Sequence, residues 1–153
     1  MKNIYCIAIA FIVIFHSCKN EDDCGECFTP PQSFLFKLVN KETNENIFAN
    51  GNYDPDQLEI FNTLDGNTPV DFSFISENSI NLIQLNSIGW ETEKVNLQIR
   101  LGGNDIFTVF IDAERESENC CSYTKYNEVK IEEVEFEQDS QTGIYTIFVK
   151  EIW

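Results

Sequence analysis

From residue 33 onward, apolar and polar side chains alternate in short runs separated by polar turns. Residues 95–101 are the cleanest case. Val95, Leu97, Ile99 and Leu101 fall on one face, and Asn96, Gln98 and Arg100 on the other, as a strand with one wet face requires. Gly102 and Gly103, followed by Asn104 and Asp105, are a hairpin-turn signal. Residues 106–113 then return as the most hydrophobic strand, with Phe107, Val109, Ile111 and Ala113 together. Earlier, Phe34, Phe36 and Leu38 share a face of 33–39, residues 58–61 form a short strand, and Val70, Phe72 and Phe74 point inward. In 80–85, Ile80 and Leu82 fall together while Leu85 falls opposite, which suggests a bulge near Ile83. Residues 126–137 read as a strand, and the spacing from Ile131 to Val134 suggests a bulge at Glu132 and Glu133. Residues 144–153 close the chain as a strand with Phe148 in the core.

No window sustains a 3.6-residue period over helix length. About eight strands at short spacing predict an all-β fold, an antiparallel β-sandwich of Ig-like or Greek-key type. The predicted hairpin of 95–101 and 106–113 should bury Leu97, Ile99, Phe107, Val109 and Ile111.

The start of the chain follows a different pattern. Residues 4–15 are unbroken apolar after Lys2. That is shorter than the ~20 residues a spanning helix needs, and it has the length of a signal-peptide core. Ser17 stands directly before Cys18, and Lys19, Asn20, Glu21, Asp22 and Asp23 follow. Here the chain resembles a bacterial lipoprotein precursor, with Ser17 as the small residue before the cysteine. Phe15 and His16 depart from the usual pattern and are similar to the relaxed form in Bacteroidota, as is the acidic run. The resemblance covers about the first two dozen residues. It implies removal of 1–17 as a signal peptide, lipidation (palmitate among the acyl chains) at Cys18, an acidic tether over 18–32, a single domain over 33–153, and a lipid-anchored place in the outer membrane, facing the cell surface, with a periplasm-facing domain as the alternative.

Charge narrows the partners. The chain carries 10 basic and 26 acidic side chains, a net charge of −16, which argues against nucleic acid and anionic lipid surfaces. The single histidine, His16, leaves with the leader. A mature chain without imidazole has no base for Ser-His-Asp or Cys-His catalysis. Cys24, Cys27, Cys120 and Cys121 remain as an even set, and exported chains tolerate disulfides. A four-thiolate zinc site is the competing arrangement, disfavoured because adjacent residues of a strand point to opposite faces. Bridges between the N-terminal pair and the Cys120, Cys121 pair are expected, in an unassigned order.

Candidate chemistry is sparse. Asn50, Asn52, Asp54 and Asp56 alternate in a polar loop, but Pro55 stands where a calcium loop of the EF-hand kind needs glycine, and a turn explains the spacing. Asp54, Asp56 and Trp90 are the candidate binding residues. Trp90, in a turn, suits either stacking on a glycan or partner, or plugging a sheet edge. Asp112, Glu114 and Glu116 form one row of carboxylates, and Glu133, Glu135 and Glu137 another. Solvated sheet faces explain both. No catalytic residue, metal or cofactor is expected. The sequence therefore predicts a membrane-anchored, non-catalytic binding or envelope component with a surface protein or glycan as partner. A small carboxylate-dependent hydrolase of glycans is the alternative.

Overall fold

Alternation does what it should at the centre of the molecule. In the computed structural model, which describes residues 27–150, Leu97, Ile99, Phe107, Val109 and Ile111 are all fully buried. They lie on β7 (Glu93–Leu101) and β8 (Asn104–Glu118), paired antiparallel. The two-residue turn between them has φ +58° at Gly102 and +80° at Gly103, the left-handed pair that matches strand twist in a tight hairpin. A second such turn, at Asn119 and Cys120 with φ +47° and +71°, joins β8 to β9 (Cys121–Glu132).

The remaining strands are β1 (Cys27–Phe28), β2 (Phe34–Asn40), β3 (Leu58–Asn62), β4 (Thr68–Pro69), β5 (Ser73–Ile75), β6 (Leu82–Leu85), β10 (Glu135–Gln138) and β11 (Tyr145–Val149). The fold is all-β, with three short 3-10 turns and no α-helix among the described residues. Two mixed sheets form, one of them a curled half-barrel. The larger runs β1-β9-β8-β7-β3-β4 and the smaller β10-β11-β2-β6-β5. Their inner faces meet in one core, where Phe36 of the smaller sheet packs on Phe107 of the larger at 5.5 Å between ring centroids.

Several expectations need correction. Among the described residues eleven strands stand where eight were expected, because short pieces such as β1 and β4 carry no periodicity of their own. The pairing is not purely antiparallel: β1 runs parallel to β9, and β11 parallel to β2. The break after Ile131 is not a bulge. Glu133 takes φ +70° and the chain leaves the larger sheet at Glu132 to enter the smaller at Glu135, a corner that two polar residues mark just as a bulge would. Phe148 is only half-buried. Tyr145, Ile147 and Val149 point inward instead, in register with Phe36, Leu38 and Asn40 of β2. In β6 the core residues are Ile83 and Leu85. Ile80, at the end of a 3-10 turn, stays exposed, and β6 pairs on both sides in unbroken register, so the expected bulge near Ile83 is not there. Val70, Phe72 and Phe74 are only partly buried, packed against the core margin.

Candidate functional site

The loop from Asn86 to Thr92 enters β7, and its geometry is held from several directions. Gly89 takes φ +96°, a backbone region that favours glycine. The Gly89 N–H donates to Glu93 Oε1 at 2.6 Å, and the Gly89 carbonyl accepts from Thr124 Oγ1 at 2.6 Å. The Tyr126 hydroxyl donates to the Ile88 carbonyl at 3.2 Å. Burial pushes the Tyr126 phenol up from its ordinary value. The result is a fixed Trp90, whose indole N–H donates to the Asn86 carbonyl at 3.0 Å while half of the side chain stays open to solvent. Trp90 is therefore displayed rather than used as an edge plug.

Beside it stands Phe28, 58% exposed, with its ring centroid 6.3 Å from that of Trp90. Phe28 is placed by β1, which is held against β9 by the Thr29 N–H donating to the Ser122 carbonyl at 2.7 Å and by two side-chain contacts. One is the Cys27–Cys121 disulfide, between residues opposite each other in the parallel register. The other is Arg115, whose guanidinium donates to the Thr29 carbonyl, to Thr124 Oγ1 and to Ser122 Oγ at 2.8–3.0 Å. Cys120 is disulfide-bonded as well. Of the expected cysteine set, Cys24 lies outside the described residues, as do Cys18 and the leader. Nothing in the sequence marks Phe28, because a phenylalanine after a polar tether carries no signal until its strand partner is known.

A substitution at Gly89 should dislodge this arrangement. A Cβ there would meet the Tyr126 hydroxyl at 2.7 Å and Thr124 Cγ2 at 2.8 Å, at a positive φ. Gly89→Ala is expected to destabilise the domain by about 2–3 kcal/mol from backbone strain and overpacking together. Denaturant unfolding checks this, and a variant as stable as the parent would show that the loop yields freely.

Asp54 and Asp56 lie elsewhere. Asp54 caps a 3-10 turn, Pro55–Gln57, by accepting from the Asp56 N–H at 3.0 Å. The turn is tied to Gly102 at the far end of β7, through Gly102 N–H to the Gln57 carbonyl. The nine residues of β7 separate this end from the Trp90 loop, about 25–30 Å at ~3.3 Å per residue. The structure does not bring Asp54 and Asp56 together with Trp90. Among the described residues no cluster of three His, Cys, Asp or Glu side chains could hold a metal.

The carboxylate rows are engaged across strands. Asp112 pairs with Lys94 at 2.7 Å, and Glu114 accepts from Asn127 at 3.2 Å. Glu116 accepts from the Tyr123 hydroxyl at 2.7 Å, a bond that holds the Glu116 carboxyl below the usual range and pushes the Tyr123 phenol up. A glycosidase acid needs the opposite shift. The other row reaches a cleft of about 570 Å³ at the Gly102 end, lined by Lys41, Asp105, Glu133, Glu135 and Phe148 among others. Two of its carboxylates have cationic partners: Glu135 with Lys41 at 2.6 Å, and Asp105 with Arg100.

No protein-family profile, curated protein or solved structure matches the chain. The display of Phe28 and Trp90 at one end and the cleft at the other are thus the two features from which a function is argued.

Proposed function

We propose that the chain is a lipid-anchored outer-membrane component, facing the cell surface and without catalytic activity, that meets its surroundings through Phe28 and Trp90. The observation that carries the contact reading is the pair itself: two large aromatic rings left open to solvent yet held in place. Singly exposed apolar residues are ordinary, but two neighbouring aromatic rings, one on a fixed loop and one on a pinned strand, suit a contact surface. Anchoring is supported by the apolar run 4–15, by Ser17 before Cys18 and by the acidic residues that follow. The meeting of both inner faces in one core supports a β-sandwich for the anchored domain.

Intact mass of the protein purified from its own membranes tests the anchor. The mature chain is expected to begin at an acylated Cys18, and Cys18→Ala to lose the acyl mass and leave the membrane fraction. A mature chain that begins at another residue sinks the reading.

One observation favours a second reading. The cleft brings Asp105, Glu133 and Glu135 around one space, and a pair of carboxylates across a cleft can hydrolyse glycosides. Release of reducing ends from a panel of polysaccharides, lost in both Glu133→Gln and Glu135→Gln, would establish a hydrolase. No release from any of them leaves the non-catalytic reading in place.

A further inference from the structure

We propose that Phe28 and Trp90 seat at the boundary between headgroups and acyl chains of the membrane that carries the Cys18 anchor, so that the Cys27–Cys121 end of the domain faces the bilayer. This rests on the anchoring reading above and names the partner of that same surface.

The first argument is reach. Cys27 follows Cys18 by nine residues, so the chain between them spans at most ~30 Å at 3.3–3.6 Å per residue. The disulfide joins Cys27 to Cys121, at the tip of the β8–β9 hairpin. Without that joint the first core residue, Phe34, would be sixteen residues from the anchor, a leash of up to ~55 Å that constrains orientation little. With it, the hairpin tip and its neighbour Phe28 are the parts of the domain closest to the anchor along the chain. The Gly102 turn and the cleft lie at the other end of the sheet.

The second argument is chemistry. Tryptophan is enriched where membranes meet water, since its ring is apolar and its N–H wants a partner. Here the Trp90 N–H already has the Asn86 carbonyl, so moving the ring out of water strands no donor. Phe28 adds a second apolar ring beside it. The acidic balance of the chain sets the lipid: a net charge of −16 is repelled by anionic headgroups, so the surface that fits is zwitterionic.

The experiment uses the full acylated chain with Trp153→Phe, which leaves Trp90 as the single indole of the two in the sequence. It is reconstituted into phosphatidylcholine vesicles with and without brominated acyl chains. Trp90 emission is expected to move to the blue on vesicles and to be quenched roughly twofold or more by the brominated lipid, as for an indole at the interface. Phe28→Ser in the same background is expected to weaken the quenching. If mass confirms acylated Cys18 while Trp90 keeps its solvent-exposed emission and escapes quenching, the proposal is overturned and the anchor stands. If no acyl group is present on Cys18, the anchoring reading has failed instead. A Trp90 response to soluble oligosaccharides, with none to vesicles, assigns the pair to a glycan and likewise overturns the proposal.

Discussion

Phe107→Ala is expected to lower the stability of the domain by about 3–5 kcal/mol, the range for deleting a fully buried phenylalanine. Phe107 has no solvent exposure and stands between the sheets against Phe36. Phe107 is paired with Ile99 of β7, and from Thr108 onward its strand, β8, is paired with β9 as well. Core side chains from both sheets surround the ring, and a packed core relaxes only partly around a deleted side chain, so a cavity term adds to the lost burial. Urea unfolding monitored by circular dichroism gives the number. Phe148→Ala serves as the contrast and should cost clearly less, since Phe148 is only half-buried on the outer face of β11. A loss below ~0.5 kcal/mol at Phe107, the range of ordinary surface substitutions, would mean that the faces of β8 are assigned the wrong way round.

Reduction of the disulfides should have the next largest effect. The Cys27–Cys121 bridge spans 94 residues, and a loop of that length contributes about 4–5 kcal/mol in the chain-entropy account. Cys120 is also bridged, and the sequence expects the Cys120, Cys121 pair to bridge to the N-terminal pair Cys24 and Cys27, in an unassigned order. Two bridges between neighbouring residues would close nearly the same loop, so their contributions do not add: once one has closed it, the second removes little further freedom. Cys27→Ser with Cys121→Ser should therefore cost much less than full reduction. Full reduction is expected to lower the melting temperature by roughly 10–20 °C. Thermal unfolding with and without reductant measures both. A melting temperature that full reduction leaves unchanged would show that the bridges only tether the N-terminal segment and do not stabilise the domain.

The parts of this fold that the sequence exposes are those where one physical requirement acts alone. In β7, four apolar residues alternate with three polar ones and two glycines follow, so face and turn are legible, while the strand begins two residues earlier, at Glu93. β11 is different. Its residues Tyr145, Thr146, Ile147, Phe148 and Val149 are largely apolar on both faces, and alternation cannot choose between Ile147 and Phe148. The choice is made by the parallel register with β2, a long-range contact. Glu132 and Glu133 show the same ambiguity, since a polar pair inside an apolar run suits a bulge or a corner between sheets equally. The candidate site was half legible. Trp90 stands out as a large aromatic residue in a turn. Phe28 becomes its neighbour only through the parallel pairing of β1 with β9 and the Cys27–Cys121 bridge, neither of which leaves a local trace. Arg115, Thr124 and Tyr126 hold the loop from positions that read simply as strand residues.

The pairing of β2 with β11 also sets a schedule. Phe36 lies opposite Tyr145, and Leu38 opposite Ile147, so the strand that opens the smaller sheet waits for one synthesised more than a hundred residues later. Contacts of such high sequence separation form slowly, because the loop entropy must be met before the contact rewards it. A chain delivered N-terminus first, whether from a ribosome or through a translocation pore, presents β2 early with half of its pairing absent. It should remain unfolded, and so threadable, until its last strand has emerged. A chain cut before Tyr145 should never reach the native state, however long it is given.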